Sequence, residues 1–250
     1  MNKLDVLALA AHPDDTELCC SGTLAKLVQQ DLSVGVIDFT QGEKGTRGTP
    51  EQRLREAQEA SEILGLEIRE NLGLPDTKIA NNRESQKKII QKIRAYRPDI
   101  CLTSAPYDRH PDHGNASRLQ IDALFYSGLQ KIETLDEDQQ PQDSWRPSHI
   151  LHYMQDHPFE ADFVFDISDT MDLKIEAIRA FKSQFYSGDA SDKEGPKTYI
   201  STANFFENIK ARARHYGHLA GVKYGEPFKY HQGPTPVDSF DFLLNTDPVR

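Results

Sequence analysis

Short apolar runs recur along the chain, each closed by polar residues and followed by a stretch of helical periodicity. Val6-Leu7-Ala8-Leu9-Ala10 reads as a buried strand, and residues 22–30 as a helix after it. Val34-Gly35-Val36-Ile37-Asp38-Phe39 is a second strand. Thr49 and Pro50 then supply an N-cap and a first helical position for a helix reaching about residue 64. A third strand is predicted over residues 66–71, an amphipathic helix over 84–96, and a fourth strand at Ile100-Cys101-Leu102-Thr103. Further on the pattern predicts strands over 149–154 and 163–167 and helices over 171–185 and 198–218. Polar residues 131–148 and the Gly- and Pro-rich tail from Gly221 read as loop and surface wrapping. Strands alternating with helices predict an α/β fold, with a mostly parallel sheet and helices on both faces, as one domain over residues 1–250. With the strand order 3-2-1-4-5, strands one and four meet at the switch point, where ligands bind at the carboxyl ends of the strands.

Both of those strands end in a histidine–aspartate box. Ala11-His12-Pro13-Asp14-Asp15 follows the first, and Arg109-His110-Pro111-Asp112-His113 comes shortly after the fourth. Either box alone reads as a turn, since Asp and Pro are ordinary turn residues. Two boxes at the ends of neighbouring strands instead match what a catalytic metal needs: a few N and O ligands from separate loops and an open position for water. His12, Asp15 and His113 are the candidate ligands, for Zn²⁺ first and for Fe²⁺ or Co²⁺ as alternatives. Neighbouring side chains point apart, so Asp14 is left as a candidate base for the water. His110 is a candidate imidazolium that stabilises an oxyanion and protonates a leaving amine. Asp112 either holds a histidine ring from behind or caps the helix that follows.

Composition narrows the partners. The 250 residues carry 29 Lys and Arg against 39 Asp and Glu, a formal charge of −10, which argues against a general nucleic-acid or anionic-membrane binder. No apolar run has membrane-spanning length and the start lacks a signal-peptide layout. Three cysteines without a C-x-x-C spacing fit a reducing compartment. A cytoplasmic protein acting on a small molecule is the expectation.

At the two boxes the chain resembles the LmbE/PIG-L family of zinc-dependent N-acetylglucosaminyl deacetylases, whose pattern is A-H-P-D-D-x-E and a later H-P-D-H. The likeness extends to Gly42-Glu43-Lys44-Gly45-Thr46-Arg47-Gly48, Arg53-Leu54-Arg55-Glu56-Ala57, Ser183-Gln184-Phe185 and Tyr224-Gly225-Glu226-Pro227-Phe228. It is strongest toward the bacillithiol-biosynthesis branch, which deacetylates N-acetylglucosaminyl malate. The resemblance implies zinc at His12, Asp15 and His113, Asp14 as base, a Rossmann-like fold and a homo-oligomer, often a hexamer. Chitooligosaccharide deacetylation and cleavage of a bacillithiol S-conjugate amide are the alternative activities. Two positions depart from the family pattern. Ser21-Gly22 stands where Gly-Gly is common, and Asp108 stands where mycothiol relatives carry a mobile tyrosine, so no catalytic role passes to Tyr107.

Two cations are candidates for contact with the substrate. Arg53 falls on the apolar side of its helix with Leu54, Ala57, Ser61 and Leu64, in a first turn where the dipole disfavours a cation. Arg109 adjoins His110, with a loop salt bridge as its ordinary role. Gly42-x-x-Gly45-x-x-Gly48 reads either as a phosphate cradle or as an active-site loop. A sugar-phosphate or nucleotide binding module is the non-enzymatic alternative. It lacks the G-x-G-x-x-G fingerprint after the first strand and leaves Asp14 without a purpose.

Overall fold

The computed structural model describes residues 3–185, 196–234 and 239. Its centre is β1 (Val6–Ala10), five buried residues whose alternate side chains serve two different cores. Leu7 and Leu9 face one core together with Ile37, Ile89, Ile93, Cys101 and Leu119. Val6 and Ala8 face another with Leu24, Val36 and Leu102. A strand buried on both faces cannot alternate apolar with polar, so its continuous apolar run follows from its position.

Parallel partners flank it: β2 (Val34–Asp38) on one side and β4 (Ile100–Thr103) on the other. Next to these lie β3 (Ile68–Asn71) and β5 (His149–Tyr153), also parallel. The full order is β3-β2-β1-β4-β5-β7-β6, where β6 is Phe163–Asp166 and β7 is Gly225–Tyr230. The expected 3-2-1-4-5 arrangement is therefore present, extended by two strands that pair antiparallel. Helices α4 (Arg83–Tyr96) and α5 (Pro111–Ser127) pack together on the Leu7 face. Helices α3 (Pro50–Leu64) and α6 (Met171–Ala180) pack together beside the opposite face. Thr49 caps α3 as expected, its side chain accepting the Gln52 N–H.

Three boundaries differ from expectation. The helix expected over 22–30 is α2 (Ser21–Gln29), but a short helix outside that expectation, α1 (Asp15–Cys19), precedes it across a break at Cys20. Glu226 and Lys174 hold that break from outside. The Glu226 carboxylate accepts the backbone N–H of Gly22 and Thr23 at the start of α2, and Lys174 Nζ donates to the carbonyls of Glu17 and Leu18 at the end of α1. The helix predicted over 171–185 stops at Ala180, and α7 spans Ala203–Ala220 rather than 198–218. The tail expected to wrap the surface begins with β7, which sits inside the sheet with Phe228 buried. Gly225 belongs there because Val164 packs where its Cβ would stand. The last part of the tail, residues 235–238 and 240–250, lies outside the described residues. No described helix is long and apolar enough to cross a membrane.

Candidate active site

Because β1 and β4 are neighbours, their two box loops converge. His12 and Asp15 come from the first, and His110 and His113 from the second. Asp15 is the pivot: its Oδ2 lies 3.5 Å from His12 Nδ1 and its Oδ1 lies 3.1 Å from His113 Nε2. The same Oδ2 accepts the His12 backbone N–H at 2.9 Å, which fixes the carboxylate against its own loop. An ion with tetrahedral ligands at about 2.0–2.2 Å spaces those ligands about 3.3–3.6 Å apart, so the separation of the Asp15 carboxylate from each histidine is close to what a small divalent cation needs.

The far nitrogens of both rings face carboxylates. His113 Nδ1 is 2.5 Å from Asp108 Oδ2, which holds a proton on Nδ1, so Nε2 is the nitrogen that would face a metal. His12 Nε2 is buried 3.3 Å from Asp76 Oδ1 and 3.5 Å from Asp112 Oδ2, in contacts of charge without a formed hydrogen bond. These carboxylates demand positive charge. Burial opposes charge on His113, yet Asp15 and Asp108 together raise its pKa to about 9. His12 is likewise raised against its burial by Asp112, Asp15 and Asp76. Asp15 is buried too, but His113 and His12 hold its pKa well below the usual carboxylate range. A donor set of two imidazoles and a carboxylate, backed by three further carboxylates, fits a divalent cation.

Asp14 faces the other way. Its φ of 117° lies in the left-handed region, which Asp tolerates better than most residues, and its Oδ2 meets Arg53 Nη2 at 3.0 Å. Burial pushes the Asp14 pKa up to about 7, against the pull of Arg53. The Arg53 guanidinium also donates to Pro13 O at 2.6 Å and to Gly42 O at 3.2 Å. Arg53 is thus enclosed, only 5% exposed, and spent on the Asp14 loop. Its expected contact was with a ligand carboxylate or hydroxyl; the groups it meets in this structure are Asp14, Pro13 O and Gly42 O, reached from the apolar side of α3. The glycines follow from this. Gly42 (φ 65°) leaves room for the Arg53 guanidinium where a Cβ would stand, and a Cβ on Gly48 would sit 2.6 Å from Ser183 Oγ. Their spacing serves close approach of protein groups and not a phosphate cradle.

His110 closes the group, its ligand atom within 4.8 Å of those of His12 and His113. It is the N-cap of α5: Nδ1 accepts the Asp112 backbone N–H at 3.2 Å. A ring whose Nδ1 accepts is neutral and carries its proton on Nε2. Burial, His12 and His113 lower its pKa accordingly. The expected imidazolium would have to give up this cap, so His110 is placed here as a neutral N–H donor. Asp112 accepts the Thr77 N–H and stands behind His12 while His110 caps the helix.

A cleft of about 260 Å³ opens from Asp15 and His113 toward α7, lined among others by Arg109, Gln155, Asp156, Tyr199 and Arg212. Arg109 pairs with Asp156 at 2.8 Å and lies over the Tyr199 ring. Arg212 donates to the carbonyls of Gln155 and Leu18. The sequence reading missed Asp108, Asp76, Gln155 and Arg212. Asp76 closes the run Gly73-Leu74-Pro75-Asp76, whose residue types are those of an ordinary turn. The other three had no local signal beyond, for Asp108, its place beside the second box.

Comparison with known proteins agrees with this geometry. The PIG-L family, described as GlcNAc-PI de-N-acetylase, matches residues 7–124, a span that contains both boxes. The conserved protein TT1542 from Thermus thermophilus has 38% sequence identity and a TM-score of 0.81, over 96% of this chain and 98% of that one. Over residues 7–124 the chain is thus a match to the PIG-L family, whose description is a de-N-acetylase. A relative, diacetylchitobiose deacetylase of Thermococcus kodakarensis, is 29% identical over 91% of this chain and 83% of its own. Another, a probable N-acetyl-α-D-glucosaminyl L-malate deacetylase 2 of Bacillus subtilis, is 27% identical over 73% of this chain and 84% of its own.

Proposed function

We propose that the protein is a zinc-dependent amide hydrolase that removes acetate from N-acetylglucosaminyl malate. The observation that carries the chemistry is the division between two adjacent aspartates, with Asp15 facing the histidines and Asp14 facing Arg53. His12, Asp15 and His113 would hold the metal. When bound, it supplies Lewis acidity that polarises the acetyl carbonyl and lowers the pKa of a water. Asp14, with a pKa near 7, takes a proton from the attacking water, which suits a base working near neutral pH. His110 Nε2–H donates to the carbonyl oxygen as it gains negative charge. As the C–N bond breaks, Asp14 returns its proton to the nitrogen, so the products are acetate and a free amine. Arg53 keeps Asp14 in place throughout.

The malate reading rests on the cations along the cleft, Arg109 and Arg212, and on the Bacillus subtilis relative. A second reading, an amino-sugar oligomer, is favoured by the diacetylchitobiose deacetylase likeness and by the pairing of Arg109 with Asp156. Acetate release from GlcNAc-malate, diacetylchitobiose and free GlcNAc separates them. The malate conjugate is expected to have a kcat/KM at least about ten-fold above the others, the scale of one charge-assisted contact. Preference for diacetylchitobiose would replace the substrate and keep the chemistry. No acetate from any of the three would overturn the reading.

A further inference from the structure

Two residues beyond the end of β5, the Gln155 side chain is 2% exposed and lines the cleft shared with Asp15 and His113. Its orientation is set by one contact: Oε1 accepts the Ala105 backbone N–H at 3.1 Å. That bond distinguishes the two ends of the carboxamide and commits Nε2 to the opposite side. There Nε2 is buried and has no hydrogen-bond partner among the described residues. A buried donor without an acceptor has lost its water and gained nothing in exchange, so such a group calls for an explanation. The residue is also braced from behind, because Arg212 of α7 donates to the Gln155 carbonyl as well as to Leu18 O at the end of α1. A fixed, unpaired donor beside a metal-binding set is arranged as a binding group.

We infer that Gln155 is a substrate-binding residue whose Nε2 donates a hydrogen bond to a hydroxyl oxygen of the amino sugar. The inference rests on the deacetylase reading, which puts the reacting amide between Asp14 and His110. Neither of those residues lines the cleft, so the cleft receives the remainder of the substrate. The acceptor is a hydroxyl because a neutral amide N–H pairs with a neutral oxygen, while a substrate carboxylate is left to the arginines of the same cleft, Arg109 and Arg212. A neutral hydrogen bond of this kind is worth about 0.5–1.5 kcal/mol, or roughly a 3- to 10-fold change in binding.

The test uses the zinc-loaded protein and glucosamine, which carries the same ring hydroxyls and is not turned over. Dissociation constants for glucosamine and its 3-, 4- and 6-deoxy analogues are measured by calorimetry, in the wild type and in Gln155→Met. In the wild type, one deoxy analogue is expected to bind roughly 3- to 10-fold more weakly than glucosamine. In Gln155→Met, glucosamine falls by the same factor and that analogue loses nothing further. A disturbance of the β5 end, such as loss of the Ala105 contact, would weaken all four sugars equally and leave the deoxy penalty in place. That pattern overturns the inference, as does a wild type that binds none of them. Acetate release by the wild type is measured separately, so a protein that binds these sugars through Gln155 without hydrolysing amides would refute the deacetylase reading alone.

Discussion

Arg53 and Arg109 look alike in the sequence, and the structure gives them opposite duties. Arg53 is buried against Asp14, Pro13 O and Gly42 O, so its removal disturbs the base whatever the substrate. Breaking one side of a buried ion pair typically costs about 3–5 kcal/mol of stability. Arg53→Ala should therefore lower kcat on GlcNAc-malate and on free GlcNAc by similar factors. Gly42→Ala should do the same, since the new methyl occupies the guanidinium's place. Arg109, exposed at the cleft, should behave differently. Its loss should cost roughly 10- to 100-fold on the malate conjugate and little on free GlcNAc. Steady-state kinetics on the two substrates checks both statements. A malate-selective loss in Arg53→Ala, or an equal loss in Arg109→Ala, would reverse the assignment.

At the scale of elements, what was legible depended on how local the cause is. β1 and β4 announce themselves because burial on both faces writes an apolar run into the sequence. The cap of α3 is written into Thr49 and Pro50. β7 is different: Gly225 and Pro227 speak against a strand, and only packing against Val164 and pairing with β5 and β6 make it one. The junction of β5 with the end of β7 also carries a titratable pair. His152 Nε2 lies 3.1 Å from His231 Nδ1, and His152 Nδ1 lies 2.7 Å from Ser104 O. Burial, with His231 and Lys229 adding to it, pushes the His152 pKa down to about 4 despite the Ser104 contact. The unfolded chain titrates this ring near 6.5, so between pH 6.5 and 4 it binds more protons than the folded protein. Stability from this residue is present above that window and is lost as pH falls through it, by an amount on the order of 3 kcal/mol. Thermal midpoints of wild type and His152→Gln should thus differ most at pH 7 and converge toward pH 4.5. A constant gap across that range would contradict the assignment.

For the whole molecule, the sheet order does what neither box does alone. Setting β1 beside β4 brings Asp15 within 3.1 Å of His113, about a hundred positions away in the chain. The candidate ligands and Asp14 were legible because the boxes have a distinctive composition at strand ends. Asp108, Asp76 and Gln155 were not, because each acts through a partner that only the tertiary fold supplies. The central claim is that Asp15 holds metal while Asp14 moves the proton. Metal content and acetate release, measured together on wild type, Asp14→Asn and His113→Ala, test it most directly. Asp14→Asn is expected to retain zinc at wild-type stoichiometry and lose nearly all turnover, whereas His113→Ala loses both. An Asp14→Asn protein that is metal-free, or one that hydrolyses GlcNAc conjugates at the wild-type rate, would contradict it.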